Sequence, residues 1–172
     1  DWWPVVDPDR GPTFDALLDP EQGGFVQLAP TEPFDLRRRY LPDTNLLETT
    51  FVTSSGSVRV TDLIPFGRNG NLSWSELVRQ VEGIEGEVSM RWVVRPGTQL
   101  RQHQPEITAA PDGALIAVGD ELLAVRAFDI GAAQVTGDQV SGEFSSRPGS
   151  VGILAFVAAR RSPVFLAGRE EF

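Results

Sequence analysis

The sequence predicts an all-β protein: an antiparallel two-sheet β-sandwich with one short helical turn. Runs of β-branched and aromatic residues alternate with period 2, as in Val88, Met90, Trp92 and Val94 against Ser89 and Arg91. Turn signals recur at intervals of about eight to twelve residues, the spacing of sandwiches and barrels. No long segment carries a 3.6-residue apolar period.

The elements follow in chain order. Thr13-Phe14-Asp15-Ala16-Leu17-Leu18 comes after Pro12 and is stopped by Asp19-Pro20, which predicts the helical turn. Arg37-Arg38-Arg39-Tyr40 reads as a strand entering a tight turn, where Pro42 sets φ and Asp43 and Asn45 bond locally to backbone. Strands are expected over 48–52, 58–64, 76–82 and 88–94, then over 114–118, 122–128, 132–135, 139–145 and 151–158. Turns fall at Ser55-Gly56, Asn69-Gly70, 83–86, Asp112-Gly113, Gly137-Asp138 and Pro148-Gly149. The run 151–158 is almost continuously apolar, which places it in a central strand covered on both faces. There is no internal repeat or linker, so the expectation is a single domain over residues 1–172.

Composition narrows the function classes. Apolar residues make up 41% and charged residues 23%, ordinary for a globular protein. The net charge is −9, and the longest basic run is Arg37-Arg38-Arg39, so the overall field repels phosphate and argues against nucleic acid. No apolar run reaches the ~20 residues of a membrane-spanning helix. Asp1-Trp2-Trp3-Pro4 lacks the basic start and apolar stretch of a signal peptide, and a cytoplasmic bacterial location with a trimmed start is the expectation. Cysteine is absent, which excludes disulfides and thiolate metal sites. Every basic side chain is arginine, in keeping with a GC-rich coding bias rather than a special surface.

Catalytic inventories are thin, and no catalytic residue, metal ligand or cofactor is assigned. His103 is the sole histidine and lies in the polar run Arg101-Gln102-His103-Gln104. No Gly-x-Ser-x-Gly elbow or phosphate-binding loop is present. Asp7-Pro8-Asp9-Arg10-Gly11 reads as a turn, not a calcium loop. Glu76, Glu82, Glu85 and Glu87 are explained by a solvated strand face. Asp62 stands out because it shares the inward alternation of Val58, Val60 and Ile64. A carboxylate there needs a cation or hydrogen bonds, and a lock to an arginine is the leading account. It would serve as an acid only beside a second carboxyl group in a cleft.

Aromatic residues raise the question of sugar stacking. Trp92 follows the core alternation, whereas Trp74 sits at a loop entering a strand and is the candidate sugar platform. Trp2 and Trp3 point to opposite faces of any strand, so one belongs to the core and the other covers something.

Five blocks in order resemble the N-terminal β-sandwich domain of glycoside hydrolase family 15, the bacterial glucoamylase- and trehalase-like enzymes. They are Asp1-Trp2; Phe14 to Asp19; Arg38-Arg39-Tyr40-Leu41-Pro42-Asp43-Thr44-Asn45-Leu46-Leu47-Glu48-Thr49; Val60-Thr61-Asp62-Leu63-Ile64-Pro65; and Leu77-Val78-Arg79 through Gly86. The chain departs from the family between Pro4 and Phe14 and again after Arg95. The resemblance implies a sandwich of the supersandwich type. It also implies an accessory role, because the family's catalytic glutamates lie in a separate α/α barrel that this chain does not contain. The expected partner is therefore the catalytic barrel of the same polypeptide, met through Trp2, Trp3, Arg37, Arg39 and Tyr40. Arg37 and Arg39 share one side of their strand and Arg38 takes the other. A second copy is the other partner an exposed apolar patch rimmed by arginine would admit. The alternative function is a carbohydrate-binding module for α-glucosides working through Trp74. Far-UV circular dichroism should show a strand spectrum with less than roughly a tenth of residues helical, and a helix-dominated spectrum would end this reading.

Overall fold

The computed structural model describes residues 11–65, 74–160, 163–164, 166 and 168–172. Twelve strands are described: β1 (Phe25–Pro30), β2 (Phe34–Tyr40), β3 (Leu47–Thr53), β4 (Gly56–Leu63), β5 (Trp74–Gly86), β6 (Val88–Arg95), β7 (Glu106–Ala110), β8 (Gly113–Val118), β9 (Glu121–Phe128), β10 (Gln134–Thr136), β11 (Gln139–Ser146) and β12 (Val151–Arg160). They form a four-stranded antiparallel sheet, β1-β6-β11-β10, packed on an eight-stranded one, β2-β3-β4-β5-β12-β9-β8-β7. The protein is a β-sandwich. A 3-10 turn, Arg169–Glu171, is the helical element among the described residues.

The expected strands are present with ends shifted by at most two residues, except that β2 starts three residues before Arg37 and β5 runs much longer than 76–82. Residues 83–86 remain in that strand instead of turning. Ile84 is the extra residue of a bulge, since Ser57 pairs with Glu85 while Val58 pairs with Gly83. A glycine is needed at 83 because a Cβ there would lie 2.0 Å from the Arg147 carbonyl oxygen, where the β11–β12 turn docks on the bulge. Two strands, β1 and β7, were not anticipated. Val26 and Leu28 alternate inward in β1, but Gly23-Gly24 before it and Pro30 at its end read as loop signals. The expected helical turn is a single reversal, in which the Leu18 and Asp19 amides donate to the Asp15 carbonyl. Ile64 lies past the end of β4 and is exposed, so the inward row of β4 is Val58, Val60 and Asp62.

The core lies between the sheets and centres on Trp92, Phe14, Phe156, Met90, Ile116 and Leu154, each essentially without solvent contact. The Trp92 indole N–H donates to the buried Ile130 carbonyl at 2.9 Å, fixing the β9–β10 crossover against β6. Gly142 pairs with Trp92, and a Cβ at 142 would come within 2.5 Å of the indole nitrogen. Central β12 lies between β5 and β9 and is buried on both faces from Leu154 to Ala159, as its apolar run predicts. After β12 the chain returns to the far end of the same strand, where Arg169 pairs with Asp129 at 2.9 Å and donates to the Val151 carbonyl.

The sheets are unequal, and the mismatch shapes the surface. The small sheet places β1 over β3 and β6 over β4. Edge strand β2 lies beyond that cover, and all seven of its residues are exposed.

Two substitutions test the crossover. Trp92→Phe should cost about 2–4 kcal/mol in urea unfolding, because it leaves a cavity and an unsatisfied Ile130 carbonyl. Gly142→Ala should cost about 1–3 kcal/mol through overlap with the indole. A loss below about 0.5 kcal/mol for both would refute this account of the core.

Candidate functional site: an uncovered sheet wing with a buried ion pair

The strand-turn-strand from Arg37 to Thr49 forms the rim of the uncovered wing. Residues alternate along β2, so Phe34, Leu36, Arg38 and Tyr40 take the face towards the small sheet, while Asp35, Arg37 and Arg39 take the other. Register carries the inner row across the wing: Leu36 opposite Phe51, Phe51 opposite Val58, Thr49 opposite Val60, and Asp62 opposite Arg79. Phe34 packs edge-on to Phe51 at 5.0 Å between ring centres. Phe34, Leu36 and Tyr40 remain 42, 43 and 68% exposed. That is an unusual load of apolar surface on one edge strand.

Two clefts open on this inner face. The larger, about 920 Å³, lies at the strand ends and is bordered by Tyr40, Leu41, Leu46, Ile64 and Leu77, with Asp43 and Asp62 also on its wall. The smaller, about 320 Å³, lies between β1 and the wing and is bordered by Leu28, Leu36, Phe51, Arg38, Asp62 and Arg79. Asp62 belongs to both.

Asp62 is locked to an arginine, as its inward position predicts. Arg79 Nε lies 3.1 Å from Asp62 Oδ1, with both side chains mostly buried. The approach is an ion pair and not an aligned hydrogen bond, because Oδ1 has no bonded partner in good geometry. Burial pushes the Asp62 carboxyl above the usual aspartate range; the attraction of Arg79, and then the charge of Arg38, oppose this without cancelling it.

The outer face of the same wing carries a charge ladder. Arg39 Nε donates to Glu48 Oε1 at 2.7 Å, Arg59 approaches Glu48 Oε2 at 3.4 Å, and Arg59 also reaches Glu82 at 3.4 Å. The hydrogen bond from Arg39, outweighing the cost of burial, holds the Glu48 carboxyl below its ordinary range. The structure therefore separates residues that the sequence grouped as one interface. Arg37 and Arg39 lie on the outer face, where Arg39 is engaged with Glu48, while Tyr40 projects to the inner face with Arg38. Trp2 and Trp3 lie outside the described residues. Trp74 begins β5, and its side chain is likewise outside them. Glu82 and Glu87 pair with Arg59 and Arg147, in keeping with a solvated strand face, and His103 is exposed in a turn.

A second polar cluster escaped the sequence entirely. Glu121, at the start of β9, accepts hydrogen bonds from Thr13 Oγ1 at 2.9 Å and Gln99 Nε2 at 2.7 Å, all three residues being buried. Burial raises the Glu121 carboxyl, and these two donors oppose the rise. Gln99, Leu100 and Arg101 all have positive φ, a left-handed turn costing roughly 1–2 kcal/mol per residue. Thr98 caps it, since its Oγ1 accepts from the Arg101 amide and its carbonyl from Gln102 and His103. Only tertiary contacts could reveal this set, because the three side chains come from distant segments. Among the described residues, no group of three or more His, Asp or Glu is placed to hold a metal ion.

Removing Arg79 tests the lock. Arg79→Met should cost about 3 kcal/mol at pH 7, because Asp62 is left as a buried, uncompensated charge. The folded pKa of Asp62 then lies still further above its unfolded value. The charge part of the loss should be largest at neutral pH, shrink as pH falls through the variant's folded pKa, and vanish below the wild-type folded pKa, where Asp62 is protonated in both folded proteins. Denaturant melts of both proteins from pH 7 to 3.5 would check this, and a pH-independent difference would overturn it.

No family model matches the chain. It is 26% identical over 128 residues to a trehalase of Thermoplasma acidophilum, a match covering 73% of this chain and 22% of that protein. It is 25% identical over 128 residues to a trehalase of Thermoplasma volcanium, covering 73% and 20%. The chain thus spans about a fifth of the length of these curated relatives, and its distant similarity is to one part of a longer enzyme.

Proposed function

We propose that this chain is a non-catalytic accessory β-sandwich of a trehalase-like glycoside hydrolase of family 15. It docks on the remainder of its parent polypeptide through the uncovered inner face of β2 and the adjoining ends of β3, β4 and β5. The observation that carries the reading is the apolar wing itself, with Tyr40 exposed at a cleft of about 920 Å³ and Phe34 and Leu36 exposed at one of about 320 Å³. Such a face is what a sandwich presents to a partner that completes its cover. The similarity to a fifth of each archaeal trehalase supports a parent in which most of the chain lies elsewhere. The exposed apolar side chains are suited to packing on a helical catalytic barrel, and the buried Asp62 beside them is engaged with Arg79, as in a structural ion pair.

One observation favours a second reading, in which the chain itself hydrolyses a glycoside. Asp43 and Asp62 both border the larger cleft, and burial raises Asp62, as a general acid requires. Against it, Asp62 spends its charge on Arg79 at 3.1 Å, and Asp43 sits in an exposed turn at φ 58°.

The purified chain should release no glucose from trehalose or maltooligosaccharides. Release abolished by Asp62→Asn would establish the second reading. Leu36→Ala and Tyr40→Ala should weaken docking in a parent polypeptide carrying a cleavable link after this region, each by about tenfold, which corresponds to roughly 1.4 kcal/mol. Halves that separate freely on cleavage of the wild type would overturn the docking reading.

A further inference from the structure

We propose that the cleft between β1 and β2 is a receptor for one carboxylate side chain, carried on an apolar stretch of the parent polypeptide outside these 172 residues and closed upon by Arg38. The inference rests on the docking reading and deepens it by naming the chemistry of the occupant.

The argument begins with a charge count. The charged groups bordering this cleft are Arg38, Arg79 and Asp62, two cations and one anion. Asp62 is committed to Arg79 at 3.1 Å. Arg38 shares the inner face with them and feels Asp62 across the cleft, yet it makes no ion pair of its own among the described residues. One positive charge is therefore left over in a protein whose net charge is −9. The neighbouring arginines do not offer the same opportunity. Arg37 and Arg39 point to the opposite face, and Arg39 is held by Glu48 at 2.7 Å.

The rest of the lining specifies what surrounds the carboxylate. Val26, Leu28, Phe34, Leu36 and Phe51 are apolar, and Gln27 and Thr49 supply neutral hydrogen-bonding groups. An acidic side chain flanked by aliphatic or aromatic residues matches both features. A guanidinium at an apolar wall binds a carboxylate in a forked, directional way, which fixes register as well as contributing affinity. Arg38 is the cation of this apolar face that no described carboxylate pairs with, so the cleft sets where a carboxylate can dock. The occupant is assigned to the parent because about four fifths of each related trehalase lies beyond the matched region.

The test uses the parent polypeptide with the cleavable link, alongside the 172-residue chain. Arg38 is exposed, so Arg38→Ala should lower the chain's own melting temperature only slightly and Arg38→Glu somewhat more, through repulsion of Asp62, while both chains stay folded. Arg38→Ala should weaken association of the cleaved halves by at least about tenfold, Arg38→Lys by less, and Arg37→Glu hardly at all. Amide exchange across 34–40 should slow in the parent relative to the isolated chain, and Arg38→Glu should restore fast exchange. One Asp or Glu to Arg substitution in the remainder should rescue Arg38→Glu. If Leu36→Ala weakens association while Arg38→Ala and Arg38→Glu do not, docking stands and the carboxylate receptor is wrong. If 34–40 exchanges equally fast in both proteins, the docking reading fails and the receptor with it. Failure of every charge reversal to rescue Arg38→Glu would also overturn the receptor.

Discussion

An eight-stranded sheet with an apolar inner face cannot be fully covered by a four-stranded one, and most of this molecule's character follows from that inequality. Burial of apolar area drives the packing, so the small sheet settles where the inner row is richest, over Val58, Val60, Val81, Phe156 and Ile116. The residue of the mismatch is pushed to one edge. There β2 holds Phe34 by an edge-on contact to Phe51 and leaves Leu36 and Tyr40 towards solvent. The Arg37-Arg38-Arg39 triplet on the same strand keeps this open edge from pairing with another chain, a common use of charge on edge strands.

The two faces of the wing handle charge in different ways. On the outer face, the largely exposed Arg39 and the half-buried Arg59 and Glu82 form a cross-strand ladder around the buried carboxylate of Glu48, and the more exposed Arg59–Glu82 pair is worth little. On the inner face, one ion pair between Asp62 and Arg79 is withdrawn from solvent, where desolvation outweighs the attraction and the carboxyl titrates high. Pairs of the second kind specify geometry more than they add stability, and Asp62 sits where the two clefts meet. The Thr13–Gln99–Glu121 cluster applies the same economy at the other wing, holding a left-handed turn that its own sequence does not favour.

Much of the architecture was legible in the chain. Alternation in Val88-Met90-Trp92-Val94 placed the core face of β6, and the unbroken apolar run after Val151 placed β12 in the middle of its sheet. The interruption of an inward row by Asp62 announced a buried carboxylate needing a cation. Less was legible where an element is short or a signal is ambiguous. β1 ends in Ala29-Pro30, β7 has no buried row and one strong strand former, Ile107, beside Thr108, and the Gly83–Gly86 stretch reads as a turn although pairing with β4 keeps it extended through a bulge. The grouping of Arg37, Arg39 and Tyr40 as one interface neglected that residues 39 and 40 of a strand face opposite ways.

Local pattern by itself determined that this chain makes strands, where most of them begin and end, and which side of each is apolar, because period 2 and turn chemistry act over a few residues. Which arginine meets Asp62, which strand is left uncovered, and which distant side chains gather around Glu121 were decided only by tertiary structure. Those outcomes depend on the order in which strands pair and on how far one sheet extends past the other. Both are set by the sum of burial over the whole core rather than by any segment of it.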